Sequence, residues 1–159
     1  MCGIVGYVGP KQASNILIDG LRRMEYRGYD SAGLAIINGD GVKIRKAAGK
    51  LSVLVDKLKN DTPSGTVGVG HTRWATHGAP TTPNAHPHLD QSGRIAVIHN
   101  GIIENAGTIR KALQARGHQF KSETDTEVLA HLIGEYYVDN LEEAVAGALW
   151  DVEGAYGIA

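Results

Sequence analysis

The sequence predicts one domain of mixed α and β structure, and three observations carry that reading. Short apolar runs bounded by Gly, Asn and Pro alternate with longer segments whose apolar residues recur at helical spacing. The run Asn38-Gly39-Asp40-Gly41 is a tight-turn signal between two such apolar runs, which predicts a hairpin. The 21 glycines among 159 residues are nearly twice the usual share of about 7%. They are spread through apolar segments rather than gathered in a linker, which predicts tight turns and close backbone approach around a site.

Taken in order, residues 2–8 form a short apolar run that reads as a buried strand. Residues 12–25 place Ile16, Leu17, Leu21 and Met24 on one helical face. Residues 26–31 are a polar, Gly-containing loop. Residues 33–37 and 42–47 are the two arms of the hairpin. Residues 52–60 read as a short helix capped by Ser52, and 61–65 break the chain. Residues 66–72 are another strand. Residues 73–93 are rich in Pro, Gly, Thr and His without periodicity, and so long a loop inside a compact domain is usually functional. Residues 94–99 read as a strand that ends at Asn100-Gly101. Residues 105–116, 125–138 and 141–149 read as helices, and 155–159 as the start of a strand. A chain that stops inside a strand reads as a truncated domain.

Composition excludes several classes. The 16 Lys+Arg balance 17 Asp+Glu, and a net charge of -1 gives no general attraction to nucleic acid or to an anionic membrane. No apolar run approaches the ~18 residues needed to span a bilayer, and no basic stretch followed by an apolar one marks a signal peptide. The single cysteine cannot form an internal disulfide, which fits a reducing cytoplasm. His71, His77, His86 and His88 lack the paired periodicity of a zinc site, so no metal is expected, and His86-Pro87-His88 reads as loop-bracing hydrogen bonds. Gly3, Gly6 and Gly9 have the wrong spacing for a dinucleotide loop, and Gly49-Lys50 lacks the earlier glycine of a P-loop. No cofactor is expected.

The one cysteine stands directly behind Met1. Removal of Met1 would give Cys2 a free α-amine as well as a thiol. A thiol is a weak nucleophile until it loses its proton. An α-amine titrates at about 7.7–8.0, which suits a general base. Alternatively, position 2 merely tolerates a small residue.

Longer motifs decide between these readings. Cys2-Gly3-Ile4-Val5-Gly6, Tyr26-Arg27-Gly28-Tyr29-Asp30-Ser31-Ala32-Gly33 and His71-Thr72-Arg73-Trp74-Ala75-Thr76-His77-Gly78 resemble the class II glutamine amidotransferases, which use an N-terminal cysteine. Asn84-Ala85-His86-Pro87-His88, His99-Asn100-Gly101-Ile102-Ile103-Glu104-Asn105 and Ser122-Glu123-Thr124-Asp125-Thr126-Glu127 agree. Within that class the chain most resembles the glutaminase domains of the glutamine–fructose-6-phosphate amidotransferases, from Cys2 to the last residue. The resemblance implies an α+β fold, the N-terminal nucleophile (Ntn) hydrolase: a four-layer αββα sandwich of antiparallel sheets, here cut short at the C-terminus. It implies hydrolysis of L-glutamine to glutamate and ammonia. It further implies a partner domain, the C-terminal sugar-phosphate isomerase that aminates fructose 6-phosphate, within a homo-oligomeric parent enzyme. The glutaminase domain of amidophosphoribosyltransferase, or a non-catalytic fragment that only binds glutamine, are the alternatives.

The resemblance also implies roles. Cys2 is the nucleophile. Asn100 and Gly101 form the oxyanion hole, through a side-chain amide and a backbone N–H; an Asn-Gly turn is the plainer alternative. Arg73 holds the substrate carboxylate through its guanidinium fork. Asp125 binds the ammonium, although an Asp there could also cap its helix. Thr76 and His77 contact glutamine from a mobile loop, with Trp74 as a lid. Arg27 and Gly28 position the substrate near Cys2. With Met1 retained, that residue is expected to lie across or near the pocket.

Overall fold

The structure, a computed structural model, describes residues 2–27, 30–74 and 78–159, apart from the Arg27 side chain. The chain runs β1 (Gly3–Val8), α1 (Ala13–Met24), a 3-10 turn (Glu25–Arg27), β2 (Ser31–Asn38), β3 (Gly41–Ala48), α2 (Leu51–Leu58) and β4 (Val67–Arg73). It continues with β5 (His88–Leu89), β6 (Ala96–Val97), β7 (His99–Ile103), α3 (Ala106–Ala115), α4 (Asp125–Tyr136), α5 (Leu141–Trp150) and β8 (Gly154–Ile158). A four-stranded sheet has the order β1-β4-β2-β3, and β5-β6 and β7-β8 form two short pairs. Every pairing among the described residues is antiparallel.

Strand alternation sorts the side chains into layers. On β2 and β3, Ala32, Leu34, Ile36 and Ala47 pack with Leu17, Ile18 and Leu21 of α1 and Leu51, Leu54 and Leu58 of α2. On the other side, Val97 and Ile103 pack with Leu113 of α3, Val128, Leu129, Leu132 and Ile133 of α4, and Ala144 and Ala148 of α5. Each sheet therefore buries one face under helices and turns its other face toward the second sheet. The layer order is helix, sheet, sheet, helix.

The two sheets meet through small residues and polar side chains. A Cβ on Gly33 of β2 would stand 2.1 Å from the His86 carbonyl oxygen, so only glycine lets the two backbones come this close. His71, Arg73, His86, His88 and His99 are all buried in this part of the molecule.

Four local expectations change. The helix read as beginning at Ser52 begins at Leu51, and its N-cap Lys50 makes no side-chain cap bond. Glu25 Oε1 instead accepts the Leu51 N–H at 3.0 Å, supplying from a distant turn what a local Ser would have supplied. The α1 face is rotated relative to its sequence pattern, because the helix faces both the sheet and α2: Ile18 is buried, whereas Ile16 is only half-buried. The strand read as ending at Asn100-Gly101 runs on to Ile103, because β8 pairs with all of it and Gly101, at φ +135°, stays in the ladder opposite Tyr156. The long loop contains β5. No helix among the described residues is long and apolar enough to cross a membrane.

Candidate active site

Register places the site before any side chain is considered. Gly3 pairs with Thr72, so one residue earlier Cys2 lies opposite Arg73 at the end of the β1–β4 ladder. Val5 packs with the α1 core, and Gly3 abuts Met24, so odd positions of β1 face the helices. Cys2 belongs to the opposite set, which faces the second sheet. On β4, Gly68 and Gly70 lie against Leu17 of α1, so His71 and Arg73 share the inter-sheet face with Cys2.

The second sheet approaches from β7. His99 Nδ1 bonds Thr126 of α4 and Ile103 enters the helical core, so odd positions face the helices and Asn100 faces the first sheet. Its Nδ2 lies 3.4 Å from the Cys2 carbonyl oxygen, and its Oδ1 lies 2.8 Å from His71 Nε2.

The Gly101 N–H is located by parity. Ile98 and Ala159 exchange both backbone bonds, and Glu104 N–H donates to the Glu153 carbonyl. Antiparallel ladders alternate, so Asn100 and Ile102 direct their N–H groups at β8, whereas Gly101 and Ile103 direct theirs away. The Ile103 N–H goes to Asp125 Oδ2 at 3.0 Å. The Gly101 N–H points off the same edge.

Asp125 is the first residue of α4, and the cap is Thr124, whose side chain accepts from Glu127 N–H. The reading of Asp125 as the helix cap is thus replaced: its carboxylate ties α4 to β7, with Oδ1 3.8 Å from His99 Nδ1.

The Cys2 sulfur accepts the Trp74 backbone N–H at 3.2 Å and lies 3.6 Å from the Trp74 carbonyl. The Trp74 side chain is half in solvent, which separates it from either core. Arg73 is buried, with Nη1 and Nη2 directed at the Ala79 and Gly78 carbonyls. Burial lowers its pKa, opposed by the nearby charges of Cys2, Asp125 and Asp30.

Beside these residues lies a layer of neutral histidines. Burial pushes His71 down to about 4, only partly offset by its hydrogen bond to Asn100 and by the His99 backbone. Burial also holds His86 and His88 well below their ordinary value, and lowers His99 against the pull of Asp125. His86 Nε2 bonds Thr126 and His88 Nε2 bonds Thr124, which braces the long loop onto the start of α4 as its His-Pro-His run suggested. Among the described residues, no three His, Cys, Asp or Glu side chains converge in a way that could hold a metal ion.

The structure thus brings Cys2, Arg73, Trp74, Asn100, Gly101 and Asp125 to one end of the seam between the sheets. Gly28, Thr76, His77, Met1 and the Arg27 side chain lie outside the described residues. Sequence reasoning weighed His71 only as a metal ligand and missed its contact with Asn100. The available signal was its spacing: His71 stands two residues before Arg73 on a strand, hence on the same face.

Residues 55–157 match the family described as the glutamine amidotransferase domain. The chain belongs to that family. Among glutamine amidotransferase relatives, the glutamine–fructose-6-phosphate aminotransferase [isomerizing] of Thermus thermophilus is 60% identical over 158 residues, covering 99% of this chain and 26% of the relative. Those of Pyrococcus horikoshii and Streptomyces coelicolor are 51% and 54% identical, covering 99% and 98% of this chain and 27% and 26% of theirs. The chain thus spans about a quarter of the length of these curated relatives. Among solved structures, the glutamine phosphoribosylpyrophosphate amidotransferase of B. subtilis, complexed with ADP and GMP, superposes with a TM-score of 0.84 at 28% identity. A second, described as the allosteric regulatory enzyme of purine biosynthesis, gives 0.86 at 29%. Each likeness covers 99% of this chain and 34% of the other. The glutamine amidotransferase fold of this chain is therefore that of the Ntn amidotransferase domains, with its layers as described above.

Proposed function

We propose that residues 1–159 are part of a glutaminase domain that hydrolyses L-glutamine at Cys2 and supplies the ammonia for amination of fructose 6-phosphate. The observation that carries this reading is the cross-strand placement of Cys2 beside Arg73, with the Asn100 amide reaching Cys2 from the opposite sheet.

Chemically, glutamine is a zwitterion with a neutral amide at its far end. Arg73 pairs with the α-carboxylate and Asp125 with the α-ammonium. Once Met1 is removed, the α-amine of Cys2 takes the thiol proton, directly or through a water. The thiolate forms a C–S bond to the amide carbon, and the carbonyl electron pair moves to oxygen. Asn100 Nδ2 and the Gly101 N–H stabilise that oxyanion. Its collapse breaks the C–N bond as the α-ammonium returns its proton to the departing nitrogen, which leaves as ammonia. Water then cleaves the γ-glutamyl thioester to give glutamate and the free thiol. Trp74 covers the bound substrate, with Thr76 and His77 beside it, and Arg27 and Gly28 position it. The Trp74 backbone N–H donates to the Cys2 sulfur and fixes its direction.

The names and greater length of the 51–60% identical relatives support a sugar-phosphate isomerase domain as the covalent partner. The whole protein in this proposal is a homo-oligomeric cytoplasmic enzyme of amino-sugar synthesis. The phosphoribosyl alternative rests on structures only 28% and 29% identical and is not favoured. The test is a matched pair of samples, with and without Met1 by intact mass, assayed for glutamate release. Turnover confined to the sample lacking Met1 supports the α-amine as base. Equal nonzero rates exclude it. No release from either sample together with none from the same pair prepared in the full-length protein overturns the glutaminase reading.

A further inference from the structure

The Asn100 carboxamide has two ends of nearly equal size, and only one is useful to an oxyanion. Its surroundings permit one orientation. The atom 3.4 Å from the Cys2 carbonyl must be a donor, because that carbonyl oxygen can only accept, so Nδ2 faces Cys2. Oδ1 then faces His71 Nε2 at 2.8 Å, and that nitrogen must carry the proton. The other ring nitrogen gives independent agreement. His71 Nδ1 is buried with no hydrogen-bond partner among the described residues. As a bare acceptor it costs less there than a buried N–H with nothing to donate to. The reversed arrangement would set two acceptors against each other at Cys2 and strand an N–H at Nδ1.

The ring is also fixed in space. His71 is fully buried, pairs with Ile4 on one side and Gly33 on the other, and stacks on His86 with ring centroids 4.3 Å apart. Its low pKa keeps it neutral, hence with a single N–H, through the ordinary pH range.

We propose that His71 is a positioning residue for the oxyanion hole: its Nε2–H holds the Asn100 carboxamide with Nδ2 aimed at the Cys2 end of the seam. Without that donor the amide can turn and present oxygen to the developing oxyanion, which converts a stabilising contact into a repulsive one. The catalytic consequence rests on the glutaminase reading above; the tautomer does not.

Two measurements test it. The first uses the unmutated protein, labelled with 15N-histidine, and reads long-range 15N–1H couplings of the His71 ring between pH 5.5 and 8. The Nε2–H tautomer throughout is expected. An Nδ1–H tautomer, or an imidazolium at pH 7, overturns the proposal whether or not the protein turns over glutamine. The second is kinetic and exploits side-chain geometry. The terminal nitrogen of Gln lies as many bonds from Cα as His Nε2, whereas that of Asn matches Nδ1. His71→Asn should lower kcat at least about 10-fold with KM for glutamine nearly unchanged, while His71→Gln should recover most of the loss. In an Asn100→Ala background, His71→Asn should change kcat less than about 2-fold, because the two residues act as one unit. Equal losses in the Gln and Asn variants, or fully additive losses with Asn100→Ala, would show that His71 merely fills space.

Discussion

The outer interfaces of this molecule and the seam between its sheets are built on opposite principles. Outside, Leu17, Leu21 and Leu54 on one side and Leu113, Leu129 and Ile133 on the other make two apolar cores. Inside, the sheets meet through Gly33, His71, Arg73, His86 and Asn100; His71, Arg73 and His86 are buried, and half-buried Asn100 bonds His71. An apolar core tolerates exchange among residues of similar size. A buried polar seam does not, because each group needs its particular partner. The difference teaches how the two kinds of interface divide their work: the helices hold the sheets, and the seam holds polar groups in fixed directions.

The sharpest way to break this division is at Asn100. Asn100→Ala should lower kcat for glutamine hydrolysis by about 10²–10³, with much less change in KM. Steady-state kinetics decides it; a rise in KM alone would make Asn100 a substrate-binding residue. The complementary change is Leu129→Ala in the second core. It should cost about 2–5 kcal/mol in urea unfolding while leaving the pH profile of turnover unmoved under folding conditions. A changed pH profile would mean that core and seam are not separable.

Acid should attack the seam before the cores. His71, His86, His88 and His99 have folded-state pKa values lowered by burial, to about 4 for His71. The unfolded chain therefore binds more protons as pH falls below the ordinary 6.5, and stability rises with pH across that range. It should be fully present above about 6.5 and decline toward pH 4.5, with His71 alone contributing on the order of 3 kcal/mol by the time its folded pKa is reached. Urea midpoints measured from pH 7.5 to 4.5 check this, and a flat profile would contradict it. The smallest expected effect is Ser52→Ala. Since Glu25 rather than Ser52 serves the start of α2, this change should stay within about 0.5 kcal/mol. A loss near 1 kcal/mol would restore the Ser cap.

The same contrast explains what was legible in the sequence. Periodicity and turn chemistry are local, so the hairpin, the helices and most strands could be read directly. The candidate site residues were legible because long motifs carry them, and the structure brings Cys2, Arg73, Asn100, Gly101 and Asp125 to one end of the seam. What stayed hidden depends on distant partners. Glu25 caps a helix from another element. The β7 strand continues past Asn100-Gly101 only because β8, far later in the chain, pairs with it. His71 reaches Asn100 only once two sheets have packed face to face.

The central claim is that Cys2 is the nucleophile of a glutamine site built at the end of the seam. Its most direct test is to treat the protein lacking Met1 with an electrophilic glutamine analogue and map the adduct by peptide mass spectrometry. The account predicts one adduct on Cys2, suppressed by added glutamine and strongly reduced in Arg73→Ala. Labelling of Cys2 that neither glutamine nor Arg73→Ala diminishes would contradict it, because the thiol would then be reacting as an exposed cysteine with no substrate site around it.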